Sequence, residues 1–348
     1  MRSVFCCILA LLCASAVTAA TPKKNAARKA PAQTAAKAKA PAKAPAAVAG
    51  PVQTAYRRSP YVGAISADAQ GNVLFEDSAD REAYPASVTK LMTLLLVLED
   101  VKAGKYRLDD LATATADVYR SEPSWIGIKV DEKMSVRSLC TALMVESAND
   151  AAIMLGVHSA GSFDAFVARM NARAAELGMK RTRYYNPNGL PPNASKRYPW
   201  KSFNTTTARD QLKLAQALLK HPETLAFTSV KTCDLIKTAD GFRTAVTRQV
   251  NKPQAESQLL AGEKLVKQLR NHNNVMVKDK QKIFNPDGKE AVDGLKTGYI
   301  DAGGSSVVMT GSRKGKRVIV VVLGSASAKE RDQHAGRMME DALGSVAW

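Results

Sequence analysis

The chain has 348 residues, 45% of them hydrophobic and 24% charged, with a formal net charge of +18. That is a globular composition, long enough for two domains or one large one. The charge suggests a nucleic-acid binder until its distribution is read. Ten of the eighteen net positive charges lie on Arg2 and residues 21–58, leaving +8 on residues 59–348, and aromatics are only 6%. No nucleic-acid partner is expected.

Residues 1–20, "MRSVFCCILALLCASAVTAA", have a short basic start, an apolar stretch and small residues at the end. This is a secretory signal pattern, and cleavage after Ala19 or Ala20 meets the small-residue requirement. A membrane-retained anchor is the alternative; bulky Leu12 before Cys13 argues against a lipoprotein. Residues 21–58 are rich in Ala, Lys and Pro, with nine Lys or Arg and no acid. They cannot bury enough apolar surface to offset the entropy of ordering, so they read as a disordered basic linker. Such a tail suits electrostatic association with an anionic envelope, or it is simply a solvated spacer. Residues 59–348 form the folded part. Only Cys140 and Cys233 remain beyond the leader, and Cys140 sits in an apolar helical pattern, so two buried thiols are expected rather than a bridge.

Along the folded part, residues 61–80 hold two β-prone runs around Gly71-Asn72, a hairpin signal. Helical patterns follow at 87–101, 135–148, 149–159, 162–178 and 207–220. The stretch 184–193, "YYNPNGLPPN", reads as a loop, "NPNGL" being a structural turn. Residues 232–285 combine β-prone runs with a polar Lys-rich helix expected around 255–270. A strand opened by Lys296-Thr297-Gly298, a hairpin turning at 312–316 and a helix at 328–343 complete the chain. Strands at both ends with helices between suggest an α+β arrangement, an antiparallel sheet with flanking helices and a helical subregion.

Three short motifs carry chemistry. Ser87 and Lys90 stand three residues apart at a helix start, so they share a face. The segment after them, "LMTLLLVL", is apolar nearly all round and reads as a buried central helix. A lysine desolvated there has a lowered pKa and activates a serine without any histidine. Alone, the pair also fits an N-cap serine with an exposed lysine. Ser147-Ala148-Asn149 ends an apolar helix, and Lys296-Thr297-Gly298 follows. A Ser-x-x-Lys, a Ser-x-Asn and a Lys-Thr-Gly in that chain order form a known serine-enzyme set. A second Ser-x-Asn, Ser202-Phe203-Asn204, shows how little the middle motif means alone. His158, His221, His272 and His334 show no metal spacing, and nothing calls for a metal or an organic cofactor.

With their flanks, "YPASVTKLMT", "SWIGIKVDEKMSVRSLCTALMVESANDAA", "LGMKRTRYYNPNGL" and "VDGLKTGYIDAGGSSVVMTGSRKGKRVIVVVLGS", these motifs closely resemble the low-molecular-weight penicillin-binding proteins of the D-alanyl-D-alanine carboxypeptidase family. The resemblance covers roughly residues 59–345. It implies the penicillin-binding-protein and β-lactamase-like transpeptidase fold, with the site between sheet and helices. It implies peptidoglycan stem peptides as substrate and β-lactams as covalent inhibitors. Carried over, Ser87 is the nucleophile, Lys90 its base and Ser147 a proton relay to the leaving amine. Asn149 orients the substrate or Lys90, Lys296 favours anions, and Thr297 holds the terminal carboxylate. The N–H groups of Ser87 and Tyr299 form the oxyanion hole, and Gly298 permits close approach. Arg331 is either a steering group for the carboxylate or a surface arginine on the last helix. Asn273 and Asn274 line the cleft or belong to an ordinary loop.

The stretch between Asn149 and Lys296 is long for the family, with extra residues expected in 191–204 and 251–285. Loops there would rim the cleft. Neither the further β-rich domain nor the C-terminal amphipathic anchor of many carboxypeptidases is seen, which resembles the endopeptidase branch. The sequence reading is therefore an exported, periplasmic or cell-envelope DD-carboxypeptidase without a C-terminal anchor. The alternatives are a DD-endopeptidase, a class A-like β-lactamase or an inactive wall-binding module. No Glu-x-x-Leu-Asn follows Asn149, which counts against the β-lactamase.

Overall fold

The computed structural model describes residues 60–118, 124–192 and 202–346. The expected leader, the basic linker and residues 193–201 of the expected insertion lie outside the described residues.

The first hairpin joins β1 (Gly63–Asp68) to β2 (Val73–Asp77). Its turn is held by the Asp68 carboxylate, which accepts from the N–H groups of Gly71 at 2.8 Å and Asn72 at 2.9 Å. A single 3-10 turn, Ala86–Thr89, leads into α1 (Lys90–Lys102). A short ladder pairs β3 (Leu111–Thr113) with β4 (Lys133–Ser135). The helices α2 (Val136–Val145), α3 (Asn149–Ala160), α4 (Phe163–Glu176) and α5 (Ala208–Leu218) follow, with a short α6 (Thr224–Thr228). Side chains of Ser135, Ser162 and Thr207 accept a first-turn N–H at the starts of α2, α4 and α5, each cap being worth about 1 kcal/mol.

A three-stranded sheet then forms from β5 (Val230–Lys237), β6 (Phe242–Gln249) and β7 (Lys264–Arg270), in the order β6-β5-β7. Here the sequence reading is corrected, for the polar helix expected at 255–270 is absent and its second half is strand β7. The Lys-x-x-Lys-x-x-Arg spacing imitates a helical polar face. The edge of β5 opposite β6 still carries backbone groups that need partners. Residues 264–270 supply them, in register from Thr232↔Arg270 to Lys237↔Lys264, and only Leu269 of this strand is buried.

After a one-turn α7 (Asn274–Val277), the chain enters β8 (Val292–Ile300), β9 (Gly304–Arg313), β10 (Lys316–Ser325) and α8 (Ala328–Ser345). The main sheet is wholly antiparallel, in the order β2-β1-β10-β9-β8. The β9–β10 turn falls at Lys314 and Gly315, both with positive φ (50° and 76°), within the expected hairpin.

The apolar run of β10 serves two faces at once. Val318, Val320 and Val322 join Ala335, Met339 and Leu343 of α8 in one core cluster. Ile319, Val321 and Leu323 join the larger cluster containing α1. Side chains alternate across a strand, so a strand covered on both sides must be apolar throughout. Residues 91–98 of α1 are buried in turn, as expected of a central helix. Cys140 and Cys233 are buried free thiols, as the sequence reading expected.

Candidate active site

The site forms where the 3-10 turn, the α2–α3 junction, the 186–190 loop and β8 converge. Lys90 is fully buried, and its Nζ lies 2.9 Å from Ser87 Oγ, 2.7 Å from Asn149 Oδ1 and 2.7 Å from the carbonyl oxygen of Asn188. All three neighbours are oxygens within donating reach of the amine, so Nζ is held against the Ser87 hydroxyl by the Asn149 and Asn188 acceptors. Burial holds Lys90 well below the ordinary lysine range, the charge of Lys296 lowers it further, and Asp150 partly opposes both.

Ser147 is buried at the α2–α3 junction, where its backbone takes φ 61°, and its Oγ is left without a hydrogen-bond partner. Ala86, next to Ser87, also has positive φ (48°). Such backbone is uncommon for non-glycine residues and costs of order 1–3 kcal/mol where the surroundings enforce it. Here it falls on or beside two residues singled out from sequence.

The Lys-Thr-Gly motif lies inside β8 rather than at its start, a correction to the sequence reading. Lys296 is buried and its Nζ donates to the Thr297 carbonyl at 2.9 Å. Burial and then the Arg331 charge bring its pKa down to about 7. A Cβ built on Gly298 would lie 2.6 Å from the Pro85 carbonyl oxygen and 3.0 Å from Ser87 N. Only glycine lets β8 press this closely on the serine backbone. Tyr299, the next residue, is 60% exposed.

Arg331 is no surface arginine: it is buried, and its guanidinium donates to Asp332 Oδ1 at 2.9 and 2.6 Å. Asn274 Nδ2 donates to the same carboxylate at 2.8 Å, while Asn273 is buried with its Nδ2 turned to the Gly294 carbonyl at 3.5 Å. These two asparagines therefore brace the surroundings of Lys296.

Four contributors escaped the sequence reading. Asn188 and Gly189 belong to the loop read as purely structural, yet the Asn188 carbonyl accepts from Lys90. A Cβ on Gly189, whose φ is +85°, would fall 1.8 Å from the Ala86 carbonyl oxygen. Asp150 accepts N–H bonds from Gly127 at 2.9 Å and from Ile126 and Ile128 at 3.1 Å, tying that strap over α3. Its burial raises its pKa despite those bonds. His272, whose spacing excluded a metal role, is solvent-exposed, and partial desolvation and then the charge of Lys296 lower its pKa. Of the four, only Asp150 carried a usable signal, its place directly after the Ser-x-Asn motif. The second Ser-x-Asn is structural: Asn204 Nδ2 donates to Thr89 Oγ1 and the Asn186 carbonyl, both at 3.0 Å, and Oδ1 accepts from Tyr185 N at 2.7 Å.

A serine hydroxyl 2.9 Å from a buried lysine amine, a strand pinned by glycine and the buried cations Lys296 and Arg331 thus meet in one place. Residues 62–260 match the peptidase S11 family, described as D-alanyl-D-alanine carboxypeptidase. The chain belongs to the D-alanyl-D-alanine carboxypeptidase family. The matched stretch holds Ser87, Lys90, Ser147 and Asn149; the fold brings β8 to them from beyond it. D-alanyl-D-alanine carboxypeptidase DacF of Bacillus subtilis is 27% identical over 273 residues, 78% of this chain and 59% of that protein. The D-alanyl-D-alanine endopeptidase of Pseudomonas aeruginosa is 34% identical over 153 residues, 44% of this chain and 45% of that one. The chain thus spans less than two thirds of these curated relatives. Penicillin-binding protein D2 from Listeria monocytogenes, solved in an ampicillin-bound form, is 27% identical with a TM-score of 0.61, over 82% of this chain and 98% of that one. The fold is therefore the mixed helix-and-sheet architecture of the penicillin-binding enzymes.

Proposed function

We propose that this family member is an exported serine DD-carboxypeptidase that removes the terminal D-alanine from peptidoglycan stem pentapeptides. Residues 59–348 are its catalytic part, and residues 1–20 and 21–58 its leader and basic linker. The observation that carries the reading is the buried Lys90 amine 2.9 Å from Ser87 Oγ.

Lys90 takes the Ser87 proton as Oγ attacks the carbonyl of the penultimate D-alanine. The N–H groups of Ser87 and Tyr299 receive the developing oxyanion. Ser147 passes the proton to the leaving amine, with Lys296 stabilising its alkoxide character. Thr297 binds the terminal carboxylate, drawn in by Lys296 and Arg331. Asn149 fixes Lys90 through its Oδ1. Water then hydrolyses the acyl-enzyme. A β-lactam has the same reactive geometry and acylates Ser87, a reading supported by the ampicillin-bound neighbour. An envelope location is supported by the leader pattern, and the basic linker suits an anionic wall or membrane surface.

The Pseudomonas relative favours a second reading in which the same residues cut D-alanyl cross-links. The two are separated by incubating the protein with uncrosslinked pentapeptide fragments and with cross-linked dimers, followed by mass spectrometry. Loss of one alanine from the pentapeptide, absent in Ser87→Ala, is the expected result. Cleavage of the dimer alone moves the protein to the endopeptidase reading, and no change in either refutes both.

A further inference from the structure

Beyond the oxyanion position, the β8 edge runs into a patch that the roles above leave unused. The Tyr299 ring is 60% exposed, and its hydroxyl donates to Asp301 Oδ1 at 2.7 Å. Asp301 is itself exposed, at the turn into β9. The rings of Tyr84 and Phe203 stack alongside, with centroids 4.4 Å apart and planes 17° from parallel. A Cβ on Gly303 would lie 2.9 Å from Tyr84 Cβ, so this stack abuts the same β8–β9 turn. Phe203 comes from the long loop that the sequence reading placed at the rim of the cleft.

The direction of the substrate follows from the proposed function, on which this inference rests. With the carboxylate at Thr297 and the scissile carbonyl at the Tyr299 N–H, a peptide lying along β8 carries its earlier residues past Tyr299 toward Asp301. The first side chain to arrive is that of the residue preceding the two D-alanines. A flat aromatic face suits methylene groups, and a carboxylate just beyond it suits a terminal ammonium. Asp301 Oδ1 is engaged by the tyrosine hydroxyl, and because the residue is exposed its second carboxylate oxygen can accept from a newcomer.

We propose that Tyr299 and Asp301, backed by the Tyr84–Phe203 stack, form a subsite for a diamino-acid side chain whose amine is free, at the stem residue just before D-alanyl-D-alanine. The enzyme therefore distinguishes stem peptides by the state of that amine. An amine blocked by acylation or consumed in a cross-link loses the Asp301 contact, while the scissile bond is presented unchanged.

The test uses two synthetic pentapeptides identical except that one has its side-chain amine acetylated, with D-alanine release followed for the parent, Asp301→Asn and Phe203→Ala. The parent is expected to favour the free amine through KM, by about two- to fivefold as for an exposed ion pair, with equal kcat. Asp301→Asn is expected to abolish that preference by raising KM for the free-amine peptide alone. Phe203→Ala is expected to raise KM for both. Equal KM values in the parent, or an undiminished preference in Asp301→Asn, overturn the subsite while leaving the proposed activity standing. A matching loss on the acetylated peptide in Asp301→Asn assigns the residue a merely structural role and also overturns it. Release from neither peptide by the parent refutes the proposed function and the subsite together.

Discussion

Replacing Gly298 by alanine tests whether the spacing between β8 and the serine backbone sets reactivity. The new methyl carbon would stand 2.6 Å from the Pro85 carbonyl oxygen and 3.0 Å from the N atoms of Ser87 and Val88. These are backbone atoms and cannot swing aside. Restoring an ordinary contact needs β8 and the 3-10 turn to separate by about 0.8 Å, in a core that resists such change at about 1–3 kcal/mol. In the proposed mechanism that separation moves the Tyr299 N–H away from the oxyanion by most of an ångström. A misplacement of about 1 Å costs about a hundredfold in rate, so acylation of Ser87 should fall about 30- to 100-fold. The assay is the time course of labelling by a fluorescent penicillin, with thermal unfolding measured in parallel. Gly294→Ala, four residues earlier on β8, is the control, because its methyl group would crowd only side chains, Thr228 Oγ1 on α6 at 2.7 Å and its Cβ at 3.2 Å. It should lose stability without a comparable loss of labelling. A folded Gly298→Ala protein labelled at the parental rate would refute the reasoning, since β8 would then not position the oxyanion donor.

Three further outcomes are expected. The folded pKa of Lys90 lies below its ordinary value, so between the two the unfolded chain binds a proton that the folded protein lacks. Stability contributed by this group therefore rises with pH up to the ordinary lysine range, and Lys90→Met should flatten that slope in denaturant titrations while abolishing labelling; an unchanged slope refutes the lowered pKa of Lys90. Asn204→Ala unties Thr89 from the 186–190 loop and leaves buried groups unpaired, at a cost of about 1–3 kcal/mol. Calorimetry should show it with slower labelling, and full stability would remove Asn204 from its bracing role. Cys140 and Cys233 are buried, with burial raising both thiols, Cys233 to about 12. A thiol reagent should modify neither in the native protein and both after unfolding, and a reductant should leave the melting temperature unchanged; rapid native modification would contradict the buried placement.

Much of this protein is written locally. The Asp68–Gly71–Asn72 turn, the helix caps and the all-apolar α1 each depend on residues a few positions apart, so pattern and turn chemistry reveal them. Ser87 and Lys90 belong to the same class: three residues apart at the start of one apolar helix, they meet however the rest of the chain folds. The desolvation of Lys90 was legible too, because an all-apolar helix is buried together with its lysine. What the local pattern could not supply was anything depending on a distant backbone. Residues 264–270 became a strand because β5 offered an unpaired edge, a demand invisible in their own charge spacing. Asn188 became a partner of Lys90 through its carbonyl oxygen, which every residue carries and no motif records. Arg331 was undecided until the fold buried it beside Lys296, because its charge acts through space on a strand thirty-five residues away in sequence. The sequence by itself determined the Ser87–Lys90 pairing, the burial of its helix and the type of fold. The tertiary structure alone decided which backbone group holds the Lys90 amine, how closely β8 approaches the serine, and which aromatic and acidic side chains gather at the β8–β9 turn, because these are contacts between segments that nothing in the chain's local order brings together.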